Sequence, residues 1–387
     1  MARFPALRGK GIAFLLVLWF LWFLNFGMRT MFSPLLPLIE DEFLVSHARA
    51  TSVLIFLGVG YAVSLFSSGL FAGRIGYKRA VVVSLYTSSV VFLAVPFVKD
   101  LSTLYFASFV IGLSMGVYFP SIIPLVTESF AEKDWSRAIA VQDCAAPIAI
   151  FATPFIALGL LHFVAWRWIF CIYAGFFIIS ATTFALLGQE VKILHPRKAA
   201  FGALMKSKSL WIVASLTVVA LAVNLGVYFI IPLYLTKELS ANITFANTVL
   251  GISRFGGIIV AIMAGLFINR IQLTKMLFFI FLISGILTML VGFASLPFIG
   301  LFLFLQTTCV TAFFPVSLVI AAKVFSRETR GMAMGIIGTI STIVAVGIIP
   351  CLLGLSGDLI SFRFGIIVLG AIAVLSSWLP LCLGSQK

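Results

Sequence analysis

Long apolar runs separated by short polar turns set the pattern of this chain. From Gly11 to Ile39 the only charged residue is Arg29. Similar runs recur near 47–72, 79–98, 101–130, 137–161 and 165–188, then 209–236, 243–269, 273–294, 296–325, 331–357 and 360–383. A helix of about 20 residues crosses the roughly 30 Å hydrocarbon layer of a bilayer. The runs lack the short two-residue alternation of a membrane barrel. The pattern therefore predicts an all-α membrane protein with twelve transmembrane helices.

Composition agrees. Of 387 residues 62% are hydrophobic and 10% charged, against about 25% charged in soluble domains. A net charge of +14 would suggest nucleic acid in a soluble protein, but here its placement explains it. With the N-terminus inside, nineteen of the 26 basic residues fall in inner segments, five in outer loops, and Arg29 and Arg254 in the membrane. Both termini are expected in the cytoplasm, with the lipid bilayer as surroundings and nucleic acid excluded as a partner. The five cysteines stand singly in apolar runs, without metal-ligand spacing. Neither a phosphate-binding loop nor a Ser/His/Asp set appears, so no enzyme, cofactor or metal is implied.

The only long polar stretch, 189–208, divides the chain into an N-terminal half (1–188) and a C-terminal half (209–387) of six spans each. The halves repeat one another. Gly69-Leu-Phe-Ala-Gly-Arg74-Ile returns as Gly265-Leu-Phe-Ile-Asn-Arg270-Ile, Phe119-Pro120 as Phe314-Pro315, Phe130 as Phe325, and Asn25-x-Gly27 as Asn224-x-Gly226. Two such repeats predict pseudosymmetric six-helix bundles, with a substrate site near the bilayer midplane.

Gly69-x-x-x-Gly73-Arg74-x-Gly76-Tyr77-Lys78-Arg79 resembles the signature loop of the major facilitator superfamily, with Gly73 in place of its usual acid. Phe325-x-x-Glu328-x-Arg330-Gly331 and Trp166-Arg167-Trp168 are similar to two further motifs of that superfamily. Arg29-Thr30-x-x-Ser33-x-x-x-Pro37, Gly60-Tyr61-Ala62 and Gly112-x-x-x-Gly116-Val-Tyr118-Phe-Pro120 resemble its anion:cation symporters of organic acids. The resemblance implies a major facilitator fold and transport by alternating access. The acids that group uses for proton coupling fall on Met28 and Met115 here, so those coupling carboxylates are missing.

An arginine deep in a bilayer costs about 2.5–3.5 kcal/mol on insertion scales and marks a functional site by default. Arg29 and Arg254 lie at similar depth, about 28 Å and 24 Å from the inner ends of their spans by helical rise, and no acid lies at that depth. A guanidinium fork suits carboxylate, sulfonate or phosphate. The expected function is transport or exchange of a small organic anion, such as a mono- or dicarboxylate. Arg29 and Arg254 would hold it, with Tyr61, Tyr118, Tyr228, Asn25 and Asn224 as neutral donors and a proton or counter-anion as co-substrate. Gly69, Arg74, Gly76, Lys78, Asp143 and Arg270 are expected at an inner gate, with Asp143 in a salt bridge to Arg74 or Arg137. A multidrug or metabolite exporter is the alternative in the same class; a transporter-like sensor or a lipid flippase is the alternative in another. The protein is expected as a monomer in the cell (inner) membrane. Reporter fusions at Lys99 and Arg197 should report opposite faces of the membrane; the same face for both would overturn the topology.

Overall fold

The computed structural model describes residues 9–188, 190, 201–267, 272–326 and 329–381. Most of the linker and Arg270 lie outside these. Helices follow one another almost without interruption. They are α1 (Lys10–Phe43), α2 (His47–Ser68), α3 (Tyr77–Phe97), α4 (Leu101–Ser129), α5 (Glu132–Leu161), α6 (Trp166–Leu187), α7 (Lys208–Glu238), α8 (Ile243–Val260), α9 (Leu273–Phe293), α10 (Leu296–Val324), α11 (Arg330–Leu359) and the shorter α12 (Phe362–Ser376). Among the described residues, the first eleven are long and apolar enough to cross a membrane. At about 1.5 Å per residue, α12 reaches roughly 22 Å. The twelve expected spans are all present as helices, and the chain is a multi-pass membrane protein.

Contacts divide the chain into two compact units: residues 1–31 with 56–196, and residues 32–55 with 197–387. The division cuts α1 after Met31 and α2 before Phe56, so the last part of α1 and the first turns of α2 pack with the second unit. Ion pairs explain part of this. Glu40 and Asp41, beyond the apolar run of α1, both meet Lys237 at the end of α7.

In the first unit α2 and α4 touch backbone to backbone. A Cβ at Gly60 would overlap the Phe109 carbonyl, one at Gly112 the Leu57 carbonyl, and one at Gly116 the Tyr61 carbonyl. Only glycine lets two helices approach so closely. In the second unit Gly285 of α9 and Gly370 of α12 meet in the same way. The Asp100 carboxylate caps α4, accepting from the Thr103 N–H at 2.8 Å and its hydroxyl at 2.9 Å. These bonds hold it below the usual aspartate range.

Several spans break or widen four residues before a proline, where the missing N–H strands a carbonyl. The interruptions at Gly116, after Asp143 and after Thr311 precede Pro120, Pro147 and Pro315. By contrast, α1 runs unbroken through Pro34 and Pro37. Gly112→Ala should lower the unfolding temperature in detergent, since overpacking costs about 1–3 kcal/mol. Gly159→Ala on α5, where a Cβ meets nothing within 4 Å, should leave it unchanged; equal effects would refute the close-packing account.

Candidate functional site

Each unit places one arginine deep within its helices. In the first unit α1 carries Trp22, Phe26 and Arg29 on one face, at helical spacings of four and three residues. The Arg29 guanidinium carbon lies 4.4 Å from the Phe26 ring centroid and 5.7 Å from that of Trp22. Tyr61 of α2 adds a third ring at 4.1 Å. The glycine contacts between α2 and α4 fix where Tyr61 can stand. Such rings attract a cation by about 0.5–2 kcal/mol each, yet accept no hydrogen bond in the ring plane. The Arg29 Nε is buried and has no hydrogen-bond partner among the described residues.

Two neighbours of Arg29 hold the framework. Asn25 donates to the Met115 carbonyl at 3.0 Å, next to the interruption of α4. The Tyr118 hydroxyl donates to the Leu18 carbonyl at 2.6 Å and accepts from Gln142 at 3.1 Å. Tyr118 is fully buried and its hydroxyl is engaged within the protein.

In the second unit α7 widens to a π-turn over Ala222–Gly226, a form that releases carbonyls and recurs at functional sites. Gln306 donates to the Val223 carbonyl at 2.8 Å. Arg254, at the interruption of α8 between Ser253 and Phe255, takes the other released group. Its Nη1 donates to the Asn224 carbonyl at 3.2 Å and to the Asn224 Oδ1 at 3.0 Å. The Asn224 amide donates in turn to Thr311 at 3.3 Å. The guanidinium lies over the Tyr228 ring at 4.8 Å. With the residue 5% exposed, Nε and Nη2 have no partner among the described residues. These two atoms form the edge that grips a planar oxyanion.

The expected gate residues are only partly brought together. Gly76 turns with φ +94°, a conformation that favours glycine. A Cβ there would strike Glu190. The Glu190 carboxylate accepts from the Lys78 N–H at 3.2 Å and pairs with Arg79 at 3.6 Å, so it sits at the positive start of α3. Gly69 lies on the helical continuation of α2, which runs on to Ile75; Arg270 is outside the described residues. Asp143 forms no ion pair with Arg74 or Arg137 in this structure. Among the described residues, no three His, Cys, Asp or Glu side chains converge as metal ligands.

Sequence reasoning passed over the polar cluster at the Lys237 end of the second unit. His47 bonds Glu40 at 2.7 Å, and the Asp358 carboxylate accepts from the His47 and Ala48 N–H groups at 2.9 Å each. The Glu238 carboxylate accepts from the Phe362 N–H at 2.5 Å and pairs with Arg363 at 3.6 Å. Pro232 strands the Tyr228 carbonyl, which accepts from Ser33 at 2.7 Å. Acids grouped at the ends of α1, α7 and α11 were the available signal.

Two deep arginines, one on the unbroken α1 and one at the interruption of α8, mark a polytopic membrane transporter. The model of the Major Facilitator Superfamily matches residues 18–271 and 213–385, and the chain belongs to that superfamily. Among solved structures, a bacterial homolog of the human lysosomal transporter Spinster, inward-facing and unoccupied, is 13% identical with a TM-score of 0.81, over 98% of both chains. A point mutant of the nucleoside transporter NupG is 14% identical with a TM-score of 0.77, over 96% of this chain and 99% of that one. At such identities the likeness shows the fold alone. No curated protein matches the chain by sequence.

If Asp358 fastens the start of α2, Asp358→Ala should speed amide exchange at His47 and Ala48 about five-fold, the equivalent of a lost cap of about 1 kcal/mol. Mass-spectrometric exchange unchanged at those amides would show that the cap contributes nothing.

Proposed function

We propose that the chain carries a small organic anion, a mono- or dicarboxylate, across the cytoplasmic membrane by alternating access, with Arg254 and Arg29 as the anion-holding side chains. The observation that carries this reading is the state of Arg254. One nitrogen is anchored to Asn224, while the paired Nε and Nη2 edge is buried without a partner among the described residues. A buried donor left unpaired costs about 1–3 kcal/mol, and more for a charged group. A carboxylate would relieve that cost with two charge-assisted bonds. Arg29, backed by three aromatic rings, has its charge oriented but not neutralised. The positive-inside distribution of the basic residues supports cytoplasmic termini, which would put the Lys237 cluster on the outer side.

The coupling follows from charge. Neither guanidinium has a carboxylate partner among the described residues, and the substrate's own charge would balance them. A transporter with unpaired buried charges closes reluctantly when empty. Obligatory exchange of one anion for another, or weakly coupled uniport, is therefore favoured over tight proton symport. Uptake into liposomes should depend on anion loaded inside more than on an imposed pH gradient. Strong gradient-driven accumulation into empty liposomes would overturn this coupling.

Arg254→Gln should weaken anion binding at least about ten-fold, since hydrogen bonds to charged groups contribute about 1.5–3 kcal/mol each. Arg254→Lys should do nearly as badly, because a point charge cannot reproduce the two-pronged edge. Titration of purified protein with succinate and lactate, read by thermal shift, checks both, and the Arg29 variants likewise. Anion binding and transport unchanged by substitution of either arginine would remove the proposal.

A further inference from the structure

The first unit holds a second polar centre, of opposite sign, that shares Trp22 with the surroundings of Arg29. A cavity of about 40 Å³ is lined by Trp22, Phe119, Ile122, Ile139, Gln142 and Asp143 among others, room for a few water-sized atoms. Its polarity is set by a short chain of bonds. The Tyr118 hydroxyl has one proton and gives it to the Leu18 carbonyl at 2.6 Å. Towards Gln142 that oxygen can only accept, so Gln142 presents its amide nitrogen, at 3.1 Å. The Gln142 Oε1 is left as an acceptor. It is buried, in a residue 4% exposed, and has no partner among the described residues.

Asp143, the next residue, lies on the same wall. It ends the first part of α5 because Pro147 has no N–H for the Asp143 carbonyl, and the helix is interrupted at Cys144. Its side chain forms no ion pair among the described residues, and the residue is exposed, which leaves a way in. Two oxygen acceptors, one of them charged, thus stand beside the rings of Trp22 and Phe119.

We propose that this cavity is a subsite for an ammonium group. A primary ammonium has three donors: one reaches the Gln142 Oε1 and one the Asp143 carboxylate, while Trp22 and Phe119, stacked at 5.5 Å, form the aromatic wall. The apolar walls of Ile122 and Ile139 suit the first carbons of an alkyl stem. A hard metal cation would need about six oxygens, which these walls do not supply. The subsite stands on the first unit alone and does not depend on the anion reading. The Arg29 guanidinium lies 5.7 Å from the centroid of the same Trp22 ring, so a ligand with both an acid and an amine would find both charges matched in this unit.

The test uses the full-length protein in detergent, titrated with ethylammonium chloride against sodium chloride at equal ionic strength. Ethylammonium should raise the unfolding temperature saturably; sodium and tetramethylammonium, the latter without an N–H donor, should not. Asp143→Asn should weaken ethylammonium about ten-fold or more, as expected for a lost charged hydrogen bond. Gln142→Met, which keeps the length and removes Oε1, should weaken it several-fold. Absence of a saturable ethylammonium response, an equal response to tetramethylammonium, or an affinity unmoved by Gln142→Met would overturn the proposal, even if Asp143→Asn fails to fold. Binding of 4-aminobutyrate at least ten-fold tighter than ethylammonium would assign the amine to the substrate itself, whereas equal affinity would assign it to a separate ammonium ion. Because ethylammonium carries no carboxylate, failure here leaves the anion reading standing, and failure of the arginine variants leaves this one.

Discussion

A guanidinium set among helices, without a carboxylate beside it among the described residues, is the constraint around which each unit is built. Such a group loses hydration that the protein must replace, and this chain replaces it in two different ways. Around Arg29 the substitutes are π faces, three rings set by the helical spacing of α1 and by Tyr61 of α2. Around Arg254 they are backbone and amide oxygens released by a π-turn, plus one ring. Neither arrangement cancels the charge. Each orients it and leaves N–H groups for something else to take.

Backbone irregularity makes the second arrangement possible. A regular helix offers its neighbours only the second lone pair of carbonyls already bonded, as Leu18 does to Tyr118, and in a bilayer every backbone polar group must find a partner inside the protein. Prolines and π-turns expose carbonyls at chosen depths, and side chains from other helices consume them: Ser33 at Tyr228, Gln306 at Val223, Arg254 at Asn224. The polar residues of the membrane interior are thus mainly fasteners. Among the described residues some buried atoms are left over: the Arg29 Nε, the Arg254 Nε and Nη2 and the Gln142 Oε1, and also the Asn25 Oδ1, the Gln306 Oε1 and the amide of Asn247 among others.

Much of this was legible in the chain. The apolar runs marked all twelve helices, most of them within a few residues, because bilayer thickness leaves little freedom in their length. The two arginines announced themselves by being charged where nothing else was. Side-chain partners were harder to read. Tyr118 looked like a donor for a ligand, but its hydroxyl is taken by Leu18, a residue 100 positions away whose carbonyl carries no mark in a sequence. Asp143 looked like a salt-bridge partner, whereas Pro147, four residues on, was the better clue to its surroundings. The division of α1 and α2 between the units was invisible for the same reason: apolar side chains say that they are buried, not against what.

The meeting of α2 and α4 at Gly60, Gly112 and Gly116 has a consequence for rigidity. Where helices touch through side chains, rotamers can shift and the gap can breathe. Here carbonyls and α-carbons are already in contact, so neither helix can come nearer and the Tyr61 ring is held like a fixed jaw opposite Arg29. The spacing of Tyr61 and Arg29 in the first unit is therefore set, on the Tyr61 side, by backbone that has nowhere to retreat.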